Sequence, residues 1–278
     1  MYPDRRFGHQ LILENIDYVA KKIPRDFQID GDVEKEIWRE ATWSRSFIDM
    51  ATGEASEFQT KSAILWSERY LYVAFDLEEP EIQAKITERD ALIFLENDVE
   101  LFIDGGECYY ELEINALNTV YEVFFIWRDS FPDNSRFPPE TFDIFQDRAY
   151  TFGGDYDRSG EHFWVGTHPR GVRWAFRDFD LPSLQTAVFL NGTLNDSTQL
   201  DKGWSVEIAI PWSSLAPLAG GRSLPPAEGD IWKLFLGRFQ KKIVAGKELS
   251  PHPASALNSH GIYDTHQPER WSAVLFQA

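Results

Sequence analysis

Two neighbouring segments of this sequence alternate apolar and polar residues with a period of two, the pattern of β-strands that present two different faces. The segments are Asn97–Asp104 (NDVELFID) and Tyr109–Thr119 (YYELEINALNT). Between them, Gly105-Gly106 suits the tight turn of a hairpin. We therefore expect two adjacent antiparallel strands, and the rest of the fold must accommodate the faces that they present.

One face of this predicted hairpin is rich in acidic side chains. Besides Asp98 and Asp104, the period of two places on it three glutamates, an asparagine and two aromatic rings: Glu100, Phe102, Tyr109, Glu111, Glu113 and Asn115. Like charges that oppose each other across a sheet cost about 0.2–1 kcal/mol per pair. A solvated face does not need this arrangement, so we expect a polar ligand, a cation or an acid/base pair. The alternative is that basic residues of other strands, such as Arg238, pair with the carboxylates.

Most of the remaining chain also predicts strands. Aromatic residues make up 15% of the sequence against 2 Met, which favours sheets over helical packing. We expect an all-β fold, a single β-sandwich of two antiparallel sheets with long loops and a few short helices, in a domain at residues 23–278 after an arm at residues 1–22. The other predicted elements are a short helix at Val33–Ala41 and strands at Lys61–Trp66, Tyr70–Leu77, Tyr121–Trp127, Trp174–Phe176, Thr186–Leu190, Gly203–Trp212, Ile231–Gln240 and Glu269–Phe276.

The charge of the chain excludes some classes of partner. The formal net charge is -18, which disfavours nucleic acid and anionic membrane surfaces. Cys108 is the single cysteine, so an intramolecular disulfide or a C-x-x-C site is ruled out. The beginning of the chain, MYPDRRFGHQLILEN, lacks the apolar core of a secretory signal. We expect a cytoplasmic protein, or an extracellular one if a signal has been removed; the oligomeric state is not predicted.

Acidic loops are the predicted places for a metal ion. Calcium suits them because it is a hard ion that takes 6–8 oxygen ligands. The candidate ligands are Asp155, Asp157, Asn195, Asp196 and Asp201. None of them has the spacing of an EF-hand, so solvated loop carboxylates are the alternative interpretation. The histidines form no recognisable zinc motif.

Paired carboxylates also raise the possibility of catalysis. Glycosidases use two carboxyl groups about 5–5.5 Å apart for retention or about 6.5–9.5 Å apart for inversion. Residues directly opposite in a sheet have Cβ atoms about 4.5–5.5 Å apart, so Glu100 and Glu113 are candidate catalytic residues. Glu207, inside the apolar strand GWSVEIAIPW, is a third. It would either join the same cluster or form a structural ion pair.

Six segments, in this order and spacing, resemble the carbohydrate-binding family 9-like proteins, which are related to the sugar-binding modules at the end of bacterial xylanases. The segments are IDGDVEKEIWREA, ILWSERYLYVAFDLEEP, NDVELFID, YYELEINALNTV, NGTLNDSTQLDKGWSVEIAIPW and THQPERWSAVLF. The resemblance covers roughly residues 23–276. It implies an immunoglobulin-like or DOMON-like sandwich, often with calcium, that binds sugars at chain ends.

The resemblance also implies positions for a sugar site. The glutamate of the family motif V-E-I-F-I-D maps onto Glu100, and an arginine of the next strand maps onto Glu113. Two tryptophans that sandwich the sugar map near Phe94 and near Thr265. We therefore expect non-covalent binding of a mono- or oligosaccharide, or alternatively a carbohydrate-active enzyme of glycoside hydrolase or lyase type. The predicted ligand-binding residues are Phe94, Glu100, Phe102, Glu111, Glu113, Asn115, Arg238 and His266.

Overall fold

The structure is a computed structural model that describes residues 16–131, 136–153, 168–244 and 247–278. Its first eight strands are β1 (Tyr18–Lys22), β2 (Ile48–Asp49), β3 (Thr60–Trp66), β4 (Tyr70–Glu78), β5 (Asp98–Asp104), β6 (Cys108–Asn115), β7 (Val120–Trp127) and β8 (Ala149–Phe152). The later strands are β9 (Arg173–Phe176), β10 (Gln185–Asn191), β11 (Gly203–Pro211), β12 (Ile231–Phe239), β13 (Ile243–Val244), β14 (Lys247–Glu248), β15 (Ala254–Ala256) and β16 (Ser272–Gln277). Short helical segments are α1 (Ala216–Ala219) and 3-10 turns at Glu36–Arg39, Ile93–Leu95, Trp212–Leu215 and Pro268–Arg270. This confirms the predicted all-β class.

The strands form two layers that one strand joins. The first layer has the order β10-β11-β4-β3, and the second has the order β16-β12-β5-β6-β7-β9-β8. Strand β1 runs parallel to β16 and, at its end, parallel to β3. We predicted two antiparallel sheets. The structure differs from this at β1, which crosses from one layer to the other and pairs in parallel with a strand of each. Tyr18–Lys22 thus belongs to the sheet, whereas the boundary predicted at residue 22 stays a prediction.

The main hydrophobic core lies between the two layers. It joins Val73 and Ile208 of the first layer to Leu101, Leu112 and other apolar residues of the second in one buried cluster. Each fully buried aliphatic side chain contributes roughly 1.5–3 kcal/mol relative to an exposed one. The alternation read from the sequence directs these residues inward, and the acidic residues of β5 and β6 therefore point to the outer face of the second layer.

This outer face is covered as well. A second buried cluster forms there, in which Met50, Ala256 and Trp271 from loops and from β15 pack on Phe102 and Tyr109. Strands β5, β6 and β7 are consequently buried on both faces. The alternation of apolar and polar residues predicted strands with one buried face. It could not predict that the other face is covered as well, because the covering segments are distant in sequence.

The predicted hairpin is confirmed, with Glu100 directly opposite Glu113. The helix predicted at Val33–Ala41 is only a 3-10 turn at Glu36–Arg39. Strands β1, β2, β8, β13, β14 and β15 lie in segments that the sequence left without a strand assignment. Within the described ranges, no helix has the length and apolar character needed to cross a bilayer.

Candidate functional site

A cavity of about 490 Å³ lies on the outer face of the second layer. Strands β5, β6, β7 and β9 supply its floor, the turn at residues 92–95 one wall and residues 250–252 and 263–266 the other. Its polar lining comprises Glu100, Glu111, Glu113, Arg177, Ser250, His252, Asp264, Thr265 and His266. Its aromatic lining comprises Phe94, Tyr121, Phe125, Tyr150, Phe152, Phe239 and Tyr263.

Three acids of this lining, Glu100, Glu111 and Glu113, form a cluster with Asp98, which lies outside the cavity lining. Asp98, Glu100, Glu111 and Glu113 have exposed fractions of 0%, 3%, 4% and 2%. Asp98, Glu100 and Glu113 each place a carboxylate oxygen within 4.8 Å of the others. The Oε2 atom of each of the three glutamates is buried without a hydrogen-bond partner. Asp98 is completely buried as well, and a hydrogen bond from the backbone of Phe239 lowers its pKa against the larger effect of burial. An unsatisfied buried polar group costs about 1–3 kcal/mol, so this cluster calls for a ligand, protons or a cation.

Buried carboxylates elsewhere in the described chain have partners. Glu79 accepts a hydrogen bond from Trp204 Nε1 at 2.6 Å and pairs with Arg238 at 3.2 Å. Glu122 accepts hydrogen bonds from the hydroxyl of Tyr110 and also pairs with an arginine. The fold therefore satisfies buried acids where they serve structure, and it leaves them unsatisfied at the cavity.

Burial changes the protonation of the four acids. It raises the pKa of Glu111 from 4.5 to about 7. For Asp98, Glu100 and Glu113, burial raises the pKa well above its usual range, and repulsion from the neighbouring carboxylates adds to the effect. Acids with raised pKa values hold protons near neutral pH, so the cluster offers both hydrogen-bond donors and acceptors to a ligand.

Arg177 places a cation in the same cavity. Its guanidinium lies 5.6 Å from the ring centre of Tyr121 and 5.8 Å from that of Tyr150, and it donates a hydrogen bond to the backbone oxygen of Asp90. Its Nε is buried without a hydrogen-bond partner. The charge of Arg177 also lowers the pKa of Glu111, against the larger effect of burial. A planar donor therefore stands beside the acids.

His266 lies beside the acids on the opposite wall. Its Nδ1 is 3.0 Å from the hydroxyl of Tyr109, and its Nε2 is 3.9 Å from Oε2 of Glu111. The rings of Phe102, Phe125 and Phe152 surround it at centroid distances of 5.4, 5.3 and 4.4 Å. Burial lowers the pKa of His266 well below its usual value, so the imidazole is neutral near pH 7.

Residues 29–134 match the family model described as carbohydrate family 9 binding domain-like. This segment is family 9-like. It contains the strands that carry all four acids, together with Phe94 and Tyr121. The resemblance predicted for roughly residues 23–276 is confirmed over residues 29–134. Arg177 and residues 250–266, which complete the cavity, lie beyond the matched segment.

The fold of this chain is similar to that of a solved structure. A protein of Bacteroides uniformis that is provisionally described as carbohydrate-binding superposes with a TM-score of 0.59 at 13% identity, covering 93% of this chain and 98% of its own. Two structures of a family 9 carbohydrate-binding module of Caldicellulosiruptor kristjanssonii, one with cellotriose and one with glucose, give TM-scores of 0.49 at 14% identity. They cover 94% of this chain and 93% and 96% of their own. None of the curated proteins matches the sequence.

Five of the eight predicted ligand-binding residues line the cavity, namely Phe94, Glu100, Glu111, Glu113 and His266. Phe102 lies beneath it, in contact with Phe235 and Trp271. Asn115 uses its side chain to donate to Ile86 O and Glu96 and to accept from the Thr119 backbone. Phe102 and Asn115 therefore lie outside the cavity lining.

Arg238 does not pair with the acidic face. It stands opposite Val99 in the register of β12 and β5, so it points into the core, whereas Gly237 stands opposite Glu100. There it pairs with Glu79 and donates to the hydroxyl of Thr60. The alternative that Arg238 neutralises the carboxylates is wrong, because strand alternation sends the two groups to opposite sides of the sheet.

Glu207 belongs to a separate structural network. It lies on the outer face of the first layer, where it pairs with Lys35 at 2.7 Å and accepts hydrogen bonds from the backbone of Gly31 and from Trp38 Nε1. These bonds hold residues 31–38 against β11. The structural ion pair is therefore the correct interpretation of Glu207, and the idea that it joins the acidic cluster is wrong.

The described loop residues that were predicted to bind calcium have hydrogen-bond partners within the protein. Asn195 bonds to both the N–H and the oxygen of Ala84, Asp201 accepts from the backbone of Ile82 and Thr193, and Asp196 accepts from Thr198. Asp155 and Asp157 lie outside the described residues. In the part of the chain that is described, the acids that come close enough to share an ion are Asp98, Glu100 and Glu113.

Several cavity residues were not among the predicted site residues. Tyr121 pairs with Glu113, so the strand predicted at Tyr121–Trp127 could have pointed to it. Arg177 and Tyr150 gave no such signal. Their positions depend on the pairing of β7, β9 and β8, whose connections are long.

Proposed function

We propose that the chain binds a mono- or oligosaccharide non-covalently in the cavity over β5, β6 and β7. The observation that carries the proposal is the combination, in one 490 Å³ cavity, of unsatisfied buried carboxyl groups with aromatic rings. Small-molecule sites typically measure about 300–1,000 Å³ and fix their ligand with a few placed polar groups. The family 9-like match of residues 29–134 supports the same ligand class.

Polar groups of the cavity complement sugar hydroxyls. A hydroxyl both donates and accepts, and Glu100 and Glu113, which face each other, offer acceptors for adjacent hydroxyls. Arg177 Nε offers a donor for a ring or hydroxyl oxygen. Satisfying these buried groups recovers part of the cost of leaving them unpaired, about 1–3 kcal/mol for each.

Aromatic rings supply the apolar part of the site. Phe94 stands edge-on to Tyr121 at 5.9 Å, and Tyr150 remains 47% exposed at the rim. Both are accessible to the C–H faces of a sugar ring, which pack favourably on flat aromatic surfaces. Phe94 occupies the position where the resemblance places a sugar-stacking tryptophan, and Tyr150 provides a ring from another strand.

Calorimetric titration with a panel of neutral monosaccharides and their oligomers tests the proposal. At least one sugar should bind with a Kd at or below about 1 mM, equivalent to about 4 kcal/mol. Glu100→Gln should reduce the affinity at least about tenfold, whereas Glu54→Gln, an exposed acid outside the cavity, should not. Absence of heat with every sugar at about 10 mM would overturn the proposal.

A glycoside-cleaving enzyme is the second candidate. Glu100 and Glu113 are directly opposed, and they have oxygens no more than 4.8 Å apart, whereas the two carboxyl groups of retaining enzymes are about 5–5.5 Å apart. That mechanism needs one protonated acid and one ionised nucleophile, and so needs separated pKa values. Burial raises the pKa of both groups, which favours binding over cleavage. Release of reducing ends from a glycan panel, lost in Glu113→Gln, would favour the enzyme instead.

A further inference from the structure

We infer that the ligand is a neutral oligosaccharide whose chain leaves the 490 Å³ cavity over Leu95 and continues in a second cavity beside it. This inference rests on the proposed function and deepens it, because it selects an oligomer over a monosaccharide and assigns the residues that bind the additional units. The second cavity has a volume of about 460 Å³. Both volumes lie within the range of about 300–1,000 Å³ that is typical of small-molecule sites.

The two cavities adjoin along a ridge that Phe94, Leu95 and Glu96 form. Leu95 lines both cavities and is 54% exposed, whereas Phe94 lines the first and Glu96 the second. The end of β12 makes the same transition, since Phe239 lines the first cavity and Gln240 the second. The exposed Leu95 therefore offers an apolar surface to a chain that passes from one cavity to the other.

Hydrogen bonds hold the ridge and the adjoining wall in place. The carboxylate of Glu96 accepts a hydrogen bond of 3.0 Å from the backbone N–H of Lys85. The next residue, Asn97, is buried, and its Oδ1 accepts a hydrogen bond of 2.7 Å from the backbone N–H of Lys241. A preformed site spends less free energy on ordering when its ligand binds.

The side chains of the second cavity suit a sugar. Phe58 contributes a half-buried aromatic ring, which can pack on the C–H face of a sugar ring. Gln83 and Gln240 contribute amides, each of which carries both a donor and an acceptor for hydroxyl groups. The second cavity thus repeats, with other residues, the combination of aromatic and polar groups found in the first.

The charged groups of the second cavity already have partners within the protein. Lys242 pairs with Glu57, and Lys241 pairs with Glu248 at 2.9 Å. Glu81 accepts a hydrogen bond of 2.6 Å from the amide of Gln83. An ionic ligand would have to compete with these pairs, whereas a neutral chain leaves them intact.

Calorimetry of the full chain with one series of neutral sugars, from the monosaccharide to the hexasaccharide, tests the second cavity. We expect the tetrasaccharide to bind at least about tenfold more tightly than the monosaccharide, because covalent linkage gives the additional units a high effective concentration at the second cavity.

Variants of the second cavity should separate long sugars from short ones. A double variant, Gln83→Ala with Gln240→Ala, should weaken tetrasaccharide binding at least about fivefold and leave the affinity for the shortest sugar that binds unchanged. Phe58→Ala should give the same selective loss. Gln185→Ala and Phe189→Ala, at exposed residues of β10 in the other layer, are the matched controls and should change neither affinity.

The inference is overturned if the tetrasaccharide binds no more tightly than the monosaccharide. It is also overturned if every variant of the second cavity that folds by far-UV circular dichroism keeps the wild-type affinity for the tetrasaccharide, or weakens short and long sugars equally. A selective loss in either the amide variant or Phe58→Ala supports it, so one variant decides if the other does not fold. Absence of binding by every sugar is the failure of the proposed function, whereas equal binding of all chain lengths excludes the second cavity alone.

Discussion

Glu100 and Glu113 face each other across β5 and β6, and the Oε2 atom of each is buried without a hydrogen-bond partner. Two carboxyl groups in this relationship destabilise the folded chain unless something else binds them. Stability and ligand binding therefore compete at this pair, and substitutions there should move the two properties in opposite directions.

Glu113→Gln should stabilise the sugar-free protein and weaken sugar binding. The amide keeps the shape of the side chain and removes a carboxyl that is costly to ionise in this surrounding. Glu207→Gln is the matched comparison, because Glu207 is equally buried and has hydrogen-bond partners. That substitution should cost about 2 kcal/mol. Urea unfolding at pH 8 measures both, and a Glu113→Gln variant less stable than wild type would contradict the argument.

The stability of the sugar-free protein should depend on pH through Glu111. Its folded-state pKa of about 7 lies above the unfolded value of 4.5, so the folded state binds the proton more tightly. This contribution is fully present below about pH 4.5 and is lost as the pH rises through about 7, for a total of about 3 kcal/mol.

The comparison of wild type with Glu111→Gln isolates this effect, because other groups titrate in the same range. Burial lowers the pKa of His260 to about 4, so its contribution has the opposite sign and is lost as the pH falls. The difference in free energy of unfolding between the two proteins should shift in favour of Glu111→Gln from pH 5 to pH 8. A difference that stays constant over this range would show that Glu111 does not titrate there.

Arg177→Ala should weaken sugar binding at least about tenfold and change stability little. Its guanidinium lies between Tyr121 and Tyr150 and has a buried N–H facing no protein acceptor. Arg177→Lys should not restore binding, because an ammonium lacks the planar, multiple donors of a guanidinium. Arg148→Ala serves as control, since Arg148 pairs with the half-exposed Asp178 outside the cavity. Equal affinities of the Ala variant and wild type would exclude Arg177 from the site.

Phe94 should contribute to sugar affinity through its ring. Phe94→Ala should weaken binding about tenfold, and Phe94→Trp should preserve or improve it, because the larger ring offers more surface to sugar C–H groups. Phe189→Ala removes a ring that is 46% exposed on β10 of the other layer, and it should have no effect. Calorimetry with the best sugar of the panel makes the comparison. A Phe94→Ala variant with unchanged affinity would remove this ring from the proposed site.

Arg238→Met should lower the free energy of unfolding by about 3–5 kcal/mol, because it leaves Glu79 buried without its ion-pair partner. Sugar affinity of the folded fraction should not change, since Arg238 lies on the opposite side of the sheet from Glu100. Combining it with Glu79→Gln should recover part of the loss in a double-mutant cycle. A large change in sugar affinity with intact stability would contradict this arrangement.

Much of the central hairpin is predictable from sequence. The position of β5 and the start of β6, their antiparallel pairing and the opposition of Glu100 and Glu113 follow from local alternation and a two-glycine turn, whereas β6 ends at Asn115 and not at the predicted Thr119. The order and spacing of the six segments also indicated the resemblance to the family 9-like proteins. Arg238 shows the limit of this approach, because its side of the sheet depends on the register between β12 and β5, which are far apart in sequence.

By itself, the sequence determined which side chains share a face, because the period of a strand is local and covers only a few residues. The tertiary structure alone decided what meets that face. Loops from distant parts of the chain bury Asp98 and Glu113, Arg177 enters directly after β9, and the Oε2 atoms of three glutamates have no hydrogen-bond partner among the described residues. Burial and partners depend on long-range packing, and these two properties turn an acidic strand face into a candidate binding site.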